Sequence, residues 1–331
     1  MSQPVEAGVD VSADSFSVAY EIPGKSRQET RLDNSAAGHR KLCRLLTRGG
    51  RPARVCLEAT GIYSLDLALA LHRAPGIEVM VVNPRVTKDF MRARMRRTKT
   101  DATDAVAILE FLQRMPFTPW KPPAREILDL RAIARRITAL TLMGGQERNR
   151  RHATDRCREL TGVLEAESTA HLEFLKASSQ RLTQEALGII QAHPRLRSWY
   201  AHLVSVKGIA TTSAIRLLAE LAVLPDDMAA RQWVAHAGLD PRHFESGTSV
   251  AKPTRISKTG NKYLRAALYL SALVAIQHEP NVRAFYAKLL GRGKKPMQGI
   301  VAVMRKLLHA IYGMFRHGRD FEGDRFYALT S

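Results

Sequence analysis

The stretch AGVDVS, residues 7–12, places a carboxylate, Asp10, inside a short apolar run rich in valine. An acid within an apolar strand is costly unless a cation or a hydrogen-bond donor compensates it. The neighbouring sequence shows what kind of strand this is. SFSVAYEI (15–22) follows after a short turn, and ETRLDN (29–34) supplies a third candidate strand. Residues 35–48 have helical spacing, and RVCLEATG (54–61) reads as a buried strand that ends at Glu58 and a turn. A helix is expected over 63–73, a second buried strand over 78–84, and another helix over 101–114. Three early strands followed by alternating units predict an α/β domain with a mixed sheet.

The segment RRTKTDATDAVAI (96–108) adds two more acids, Asp101 and Asp104, at the start of the last of these helices. Acids three apart share one helical face. Each of the four acids also has an ordinary reading. Asp10 can be a hydrogen-bonded strand residue, and Asp101 simply favours a helix N-terminus. In the order strand Asp, strand-end Glu, helix Asp-x-x-Asp, they form the arrangement of a ribonuclease-H-like fold. Such a cluster offers hard oxygen donors of the kind Mg²⁺ requires, and metal sites of this kind act on phosphodiesters. A sugar-kinase or actin-type ATPase also begins with a strand Asp, but the later Gly-rich phosphate loops of that class are missing.

Charge points to the same substrate class. The chain has 331 residues, 45% of them hydrophobic, with 51 Lys+Arg against 31 Asp+Glu for a net charge of +20. A surplus of that size favours a polyanion, because each neutralised phosphate releases condensed counterions. The basic residues also cluster. Arg94, Arg96, Arg97 and Lys99 precede the helical acids, and Lys252, Arg255, Lys258, Lys262 and Arg265 line a later stretch. A membrane is a poorer partner, since no long apolar span occurs. Cys43, Cys56 and Cys157 lie at wide spacings that give neither a disulfide framework nor a zinc site. The N-terminus lacks the basic and apolar regions of a secretory signal, so a cytoplasmic protein is expected.

The remainder reads as mostly helical. Leu130, Ile133, Ile137 and Leu140 step as a coiled-coil seam does, which Gly144-Gly145 is expected to interrupt. The pattern predicts an α/β domain over 1–122, a coiled-coil or helical arm over 123–196, and a C-terminal helical domain over 197–331. In LVSVKGIATTSAIRLLAEL (203–221) a Gly-containing turn joins two helices and offers amides to a phosphate. The stretch GLDPRHFESGTSVAKPTRISKTGNKYLR (238–265) reads as a Ser/Thr/Gly-rich loop amid basic residues. Taken by chemistry alone, Ser246 in it fits passive phosphate binding better than covalent attack.

GVDVS, CLEATGIY, VVNPRVTKDF, RRTKTDATDA, VKGIATTSA and AGLDPRHFESGTSVAKPTRISKTGNKYLRAALY together resemble the transposases of the insertion-sequence-110 family. These are also called DEDD or bridge-RNA-guided recombinases. The resemblance implies a RuvC-like N-terminal domain whose Mg²⁺ ligands fall on Asp10, Glu58, Asp101 and Asp104. It implies a C-terminal transposase domain with a nucleophilic serine in a Pro-x4-Ser pattern, here Pro241 to Ser246, and so reverses the passive reading of that serine. Ser249 and Lys262 are candidates to assist it. In the family the serine forms a 5′-phosphoserine with cleaved DNA at a composite site. Dimers assemble into tetramers that join donor and target double-stranded DNA, guided by an element-encoded noncoding RNA. Two rival readings are a RuvC-like hydrolytic nuclease and a binding protein with a decayed site.

Overall fold

The computed structural model describes residues 3–93, 101–156, 162–246 and 250–329, without the side chains of 101–102, 243–246 and 250–253. The chain divides into two compact units, Met1–Pro122 and Pro123–Ser331.

In the first unit, strands β1 (Val5–Val11), β2 (Ser15–Glu21) and β3 (Gln28–Asp33) form an antiparallel meander. Helix α1 (Ala36–Leu46) leads to β4 (Ala53–Glu58), and α2 (Leu65–Arg73) leads to β5 (Ile77–Val82). Helices α3 (Pro84–Ala93) and α4 (Asp101–Arg114) follow. The strand order is β3-β2-β1-β4-β5, with β1, β4 and β5 parallel. This is the ribonuclease-H-like arrangement that the strand and acid pattern predicts.

Side-chain alternation sorts the two faces of the sheet. Val5, Ala7, Val9, Val55 and Leu57 pack with Leu42 and Leu46 of α1 and with Leu67 and Leu71 of α2. Residues of the opposite parity, Cys56, Met80 and Val82, pack with Ile108, Phe111 and Leu112 of α4. Helices therefore cover both faces, which explains why the central strands read as nearly continuous apolar runs.

Gly8 belongs to the α4 face, and here the backbones come unusually close. A Cβ at Gly8 would collide with the Leu109 amide nitrogen and the Ala105 carbonyl oxygen of α4. Only glycine lets the helix lie directly on the middle of β1.

The second unit is mainly helical. Helix α5 (Arg125–Thr154) and helix α6 (Gly162–Ala192) form a long antiparallel pair. Leu130, Ile137 and Leu140 are buried along it. Contrary to the expected interruption, α5 runs straight through Gly144-Gly145. Packing against α6 outweighs a helix penalty of about 1 kcal/mol per glycine.

Helices α7 (Pro194–Val204), α8 (Thr211–Leu221) and α9 (Ala230–His236) precede a hairpin of β6 (Pro241–Ser246) and β7 (Val250–Ile256). Helices α10 (Lys262–His278), α11 (Pro280–Gly291), α12 (Pro296–His317) and α13 (Gly323–Phe326) complete the unit. The stretch read from sequence as a loop is thus partly a paired hairpin. Leu130 and Ile137 of α5 and Ile190 of α6 share one apolar core with α7–α12, so the base of the arm is built into this unit.

The turn between α7 and α8 is packed rather than open. Gly208, at φ 121°, lies so near the Ala275 backbone that a Cβ would clash, and the Ile209 amide already donates to Val206. Among the described residues no helix is long and apolar enough to cross a membrane.

Candidate active site

Two of the acids stand at the C-terminal ends of neighbouring central strands of the first sheet. Asp10 lies one residue before the end of β1, and Glu58 ends β4. The parallel register pairs Val9 with Leu57, so the next step sets Asp10 beside Glu58 on the same face. That face is the one α4 covers. The direction of α4 follows from two contacts. Gln113 near its C-terminus donates to Glu21 (2.9 Å), whose register partner is Glu6 at the far end of β1. Ala105 and Leu109 lie over Gly8. The first turn of α4, which carries Asp101 and Asp104, therefore points toward the Asp10 end. The backbone of Asp101 opens the helix, while its side chain is outside the described set.

Residues that were not singled out from sequence shape this end of the sheet. Thr87 of α3 is almost fully buried, and its hydroxyl makes a short hydrogen bond to the Glu58 carboxylate, with the Pro84 carbonyl 3.0 Å away. Asn34 joins the two strand-end turns. Its Nδ2 donates to the carbonyls of Ser12 (2.9 Å) and Tyr63 (3.0 Å), and its Oδ1 meets His39 Nε2 at 2.8 Å. Burial holds the His39 imidazole below its ordinary value, with Asp66 opposing, so the neutral ring is favoured. The Thr60 hydroxyl, in the turn after Glu58, is buried with no hydrogen-bond partner. Cys56, one turn of the pleat earlier, is inert, because burial and then Glu58 push its thiol up to about 12.

The donor set at these strand ends is all oxygen, which suits Mg²⁺. Among the described residues no three His, Cys, Asp or Glu side chains are grouped as a metal site, a statement that leaves out Asp101.

In the second unit, Ser246 is the last residue of β6, at the tip end of the hairpin. Its side chain and that of Lys252 are not described, and Ser249 lies outside the described residues, as do Arg94, Arg96, Arg97 and Lys99. Arg255, Lys258 and Lys262 are exposed, and Lys262 Nζ stands 5.3 Å from the Tyr263 ring centre.

The root of the hairpin is tightly tied. Ser257 donates through its amide to the Asp240 carbonyl (2.9 Å) and through its hydroxyl to the Asp240 carboxylate (2.6 Å). The Lys258 amide donates to Gly238 (3.1 Å), the Asn261 amide to His236 (2.7 Å), and the Arg265 guanidinium to Ala237 (2.8 Å).

The strand order and the acids at the joined ends of β1 and β4 define the class: a ribonuclease-H-like protein with carboxylates at its central strand ends. Comparison with known proteins gives the family. A transposase family profile of the DEDD type matches residues 7–154, and one described as "Transposase IS116/IS110/IS902 family" matches residues 200–287. The chain belongs to the IS110 family of transposases.

Its relatives include the pilin gene-inverting proteins of Moraxella bovis and Moraxella lacunata. Each is 26% identical over 95% of this chain and 97% of its own length. An IS110 protein of Streptomyces coelicolor is 28% identical over 40% of this chain and 32% of its own. Among solved structures, Thermus thermophilus RuvC in complex with a Holliday junction substrate aligns with 36% of this chain and 100% of its own. The identity there is 15% and the TM-score 0.28, so the fold assignment stands on the strand order instead.

Proposed function

We propose that this transposase is an RNA-guided DNA recombinase that cuts and rejoins donor and target DNA through a phosphoserine at Ser246. The observation that carries the reading is the meeting of Asp10 and Glu58 at adjacent parallel strand ends, beneath the helix turn that bears Asp101 and Asp104. These four carboxylates would hold Mg²⁺, which supplies charge stabilisation to a phosphodiester under attack.

The serine step conserves bonds. The Ser246 Oγ–P bond forms as the P–O3′ bond breaks, the serine proton is lost, and the departing 3′ oxygen takes up a proton. Attack by another strand's 3′ hydroxyl reverses the exchange, so no nucleotide triphosphate is needed. The basic residues Arg94, Arg96, Arg97, Lys99, Lys252, Arg255, Lys258 and Lys262 neutralise phosphates of the two nucleic acids. Sequence choice passes to base pairing with an element-encoded RNA, which suits a protein offering broad basic surfaces. The active unit is a tetramer assembled from two dimers, with composite sites, working in the bacterial cytoplasm.

The rival reading, a hydrolytic nuclease using the same carboxylates, accounts for cutting alone. The pilin gene-inverting relatives favour rejoining, since inverting a gene requires resealed strands. The test incubates purified protein with the noncoding transcript encoded beside the gene, two plasmids and Mg²⁺. Wild type is expected to recombine them and to leave a covalent protein–DNA species on a denaturing gel. Asp10→Ala and Ser246→Ala are each expected to abolish both. Cleavage that survives in Ser246→Ala would establish the hydrolytic reading instead.

A further inference from the structure

A buried ionic cluster bonds to Asn261, five residues past the end of β7. Glu220 of α8 is 2% exposed, yet it is charged and surrounded by donors. Arg135 of α5 grips it with two guanidinium contacts, at 2.7 and 3.1 Å, and Arg131 of the same helix adds a third at 3.1 Å. Asn261 Nδ2 donates to Glu220 at 2.6 Å. Burial alone would raise the Glu220 carboxyl, but Arg135, Arg131 and Asn261 outweigh it and hold the group below its ordinary value.

Asn261 is the pivotal member. Its Oδ1 caps α10 by accepting from the Tyr263 (3.0 Å) and Leu264 (3.1 Å) amides, and its own amide donates to the His236 carbonyl. Immediately before it, Gly260 at φ 128° sits so close to that carbonyl that a Cβ would clash, and Lys258 has the only positive φ recorded for a described non-glycine residue, 52°. The 257–261 segment, which leaves β7, is therefore held by hydrogen bonds and close backbone contacts along its length. Glu220 ties it to α8, and the two arginines tie it to the arm helix α5. A buried ion cluster of this kind brings little net stability, because desolvation offsets its Coulombic gain. Directional hydrogen bonds, by contrast, fix geometry.

We infer that Glu220 is a positioning residue for the strand-transfer step: through Asn261 it sets the root, and so the aim, of the β6–β7 hairpin, with Arg131 and Arg135 linking that aim to the arm. The inference rests on the assignment of Ser246 as the nucleophile. Two variants cut the tie from opposite sides while sparing the fold. Asn261→Ser keeps a good helix cap but cannot reach Glu220. The triple change Arg131→Met, Arg135→Met, Glu220→Leu replaces the ions with apolar volume, a change buried clusters often tolerate without loss of stability.

The experiment measures single-turnover formation of the covalent adduct at saturating DNA, with the RNA and Mg²⁺ present, alongside DNA affinity and melting temperature. Both variants are expected to bind DNA and melt as wild type does, while adduct formation slows about 10- to 100-fold, as for a misplaced nucleophile. Wild-type adduct rates in both variants, with Ser246→Ala inactive, would overturn the positioning role and leave the serine assignment standing. If Ser246→Ala itself forms product, the serine assignment falls. Hydrogen exchange of the Lys258 and Asn261 amides then decides the rest: lost protection in the variants upholds Glu220 as the anchor of the hairpin root, and unchanged protection overturns it.

Discussion

The Thr87 hydroxyl reaches the Glu58 carboxylate from inside α3, and its burial leaves it little freedom to point elsewhere. Outer groups of this kind orient a carboxylate ligand, and their loss typically weakens metal binding 10–100-fold. Thr87→Val keeps the shape and removes the donor, so the Mg²⁺ concentration for half-maximal cleavage is expected to rise by about that factor. Thr87→Ser is expected to stay near wild type, and a Mg²⁺ titration of cleavage rate checks both. At this scale Asp10 and Glu58 stand out in the sequence because carboxylates at the ends of apolar strands demand an explanation, whereas Asp101 and Asp104 stand out only by their helical spacing. Thr87 does not, since a threonine in PRVTKDF has nothing unusual in its local spacing. Nor does Asn34, whose bridge between two turns depends on tertiary placement. Glu220 was hidden for the same reason: it reads as one acid in an apolar helix until α5 and Asn261 are brought to it.

Among the elements, α4 on β1 is the contact most sensitive to a single atom. Gly8→Ala forces the Ala105–Leu109 backbone away, and overpacking of this sort costs about 1–3 kcal/mol. Its effect on function is expected to exceed that cost, because the shift also lifts the Asp-x-x-Asp turn from the strand ends. Cleavage should fall by more than about 100-fold while the protein still melts cooperatively, as calorimetry and a cleavage assay on one sample would show. The strands of the first unit and its helices α1, α2 and α4 were readable from periodicity, but α3 was not, since Thr87 is its one buried residue and the rest of the stretch reads as a basic, solvated run. The β6–β7 hairpin was not, because its strands are rich in Pro, Ser, Thr and charged residues that also suit a loop. The continuity of α5 through two glycines was likewise invisible, being decided by α6 packed alongside.

For the whole molecule, the core residues of the sheet and its helices all fall within residues 1–122. That segment, expressed alone, is expected to fold with a mixed α/β circular-dichroism spectrum and one thermal transition. A non-cooperative melt would show that it needs the rest of the chain. Composition made the nucleic-acid partner legible at this scale, since a charge of +20 has a direct electrostatic meaning. It could not reveal that the base of the arm shares a core with the C-terminal helices, which only packing decides.

The parallel pairing of β1 with β4 has a consequence for the chain as it is made. Parallel neighbours cannot form from a tight turn; they wait for the intervening chain, here β2, β3 and α1, to emerge. Helix α4, which closes over Gly8, is synthesised later still and ends at Arg114. The acidic strand ends therefore meet the first turn of α4 only after the first unit is nearly complete, and a translation product that stops before α4 carries Asp10 and Glu58 without the helix that closes over them.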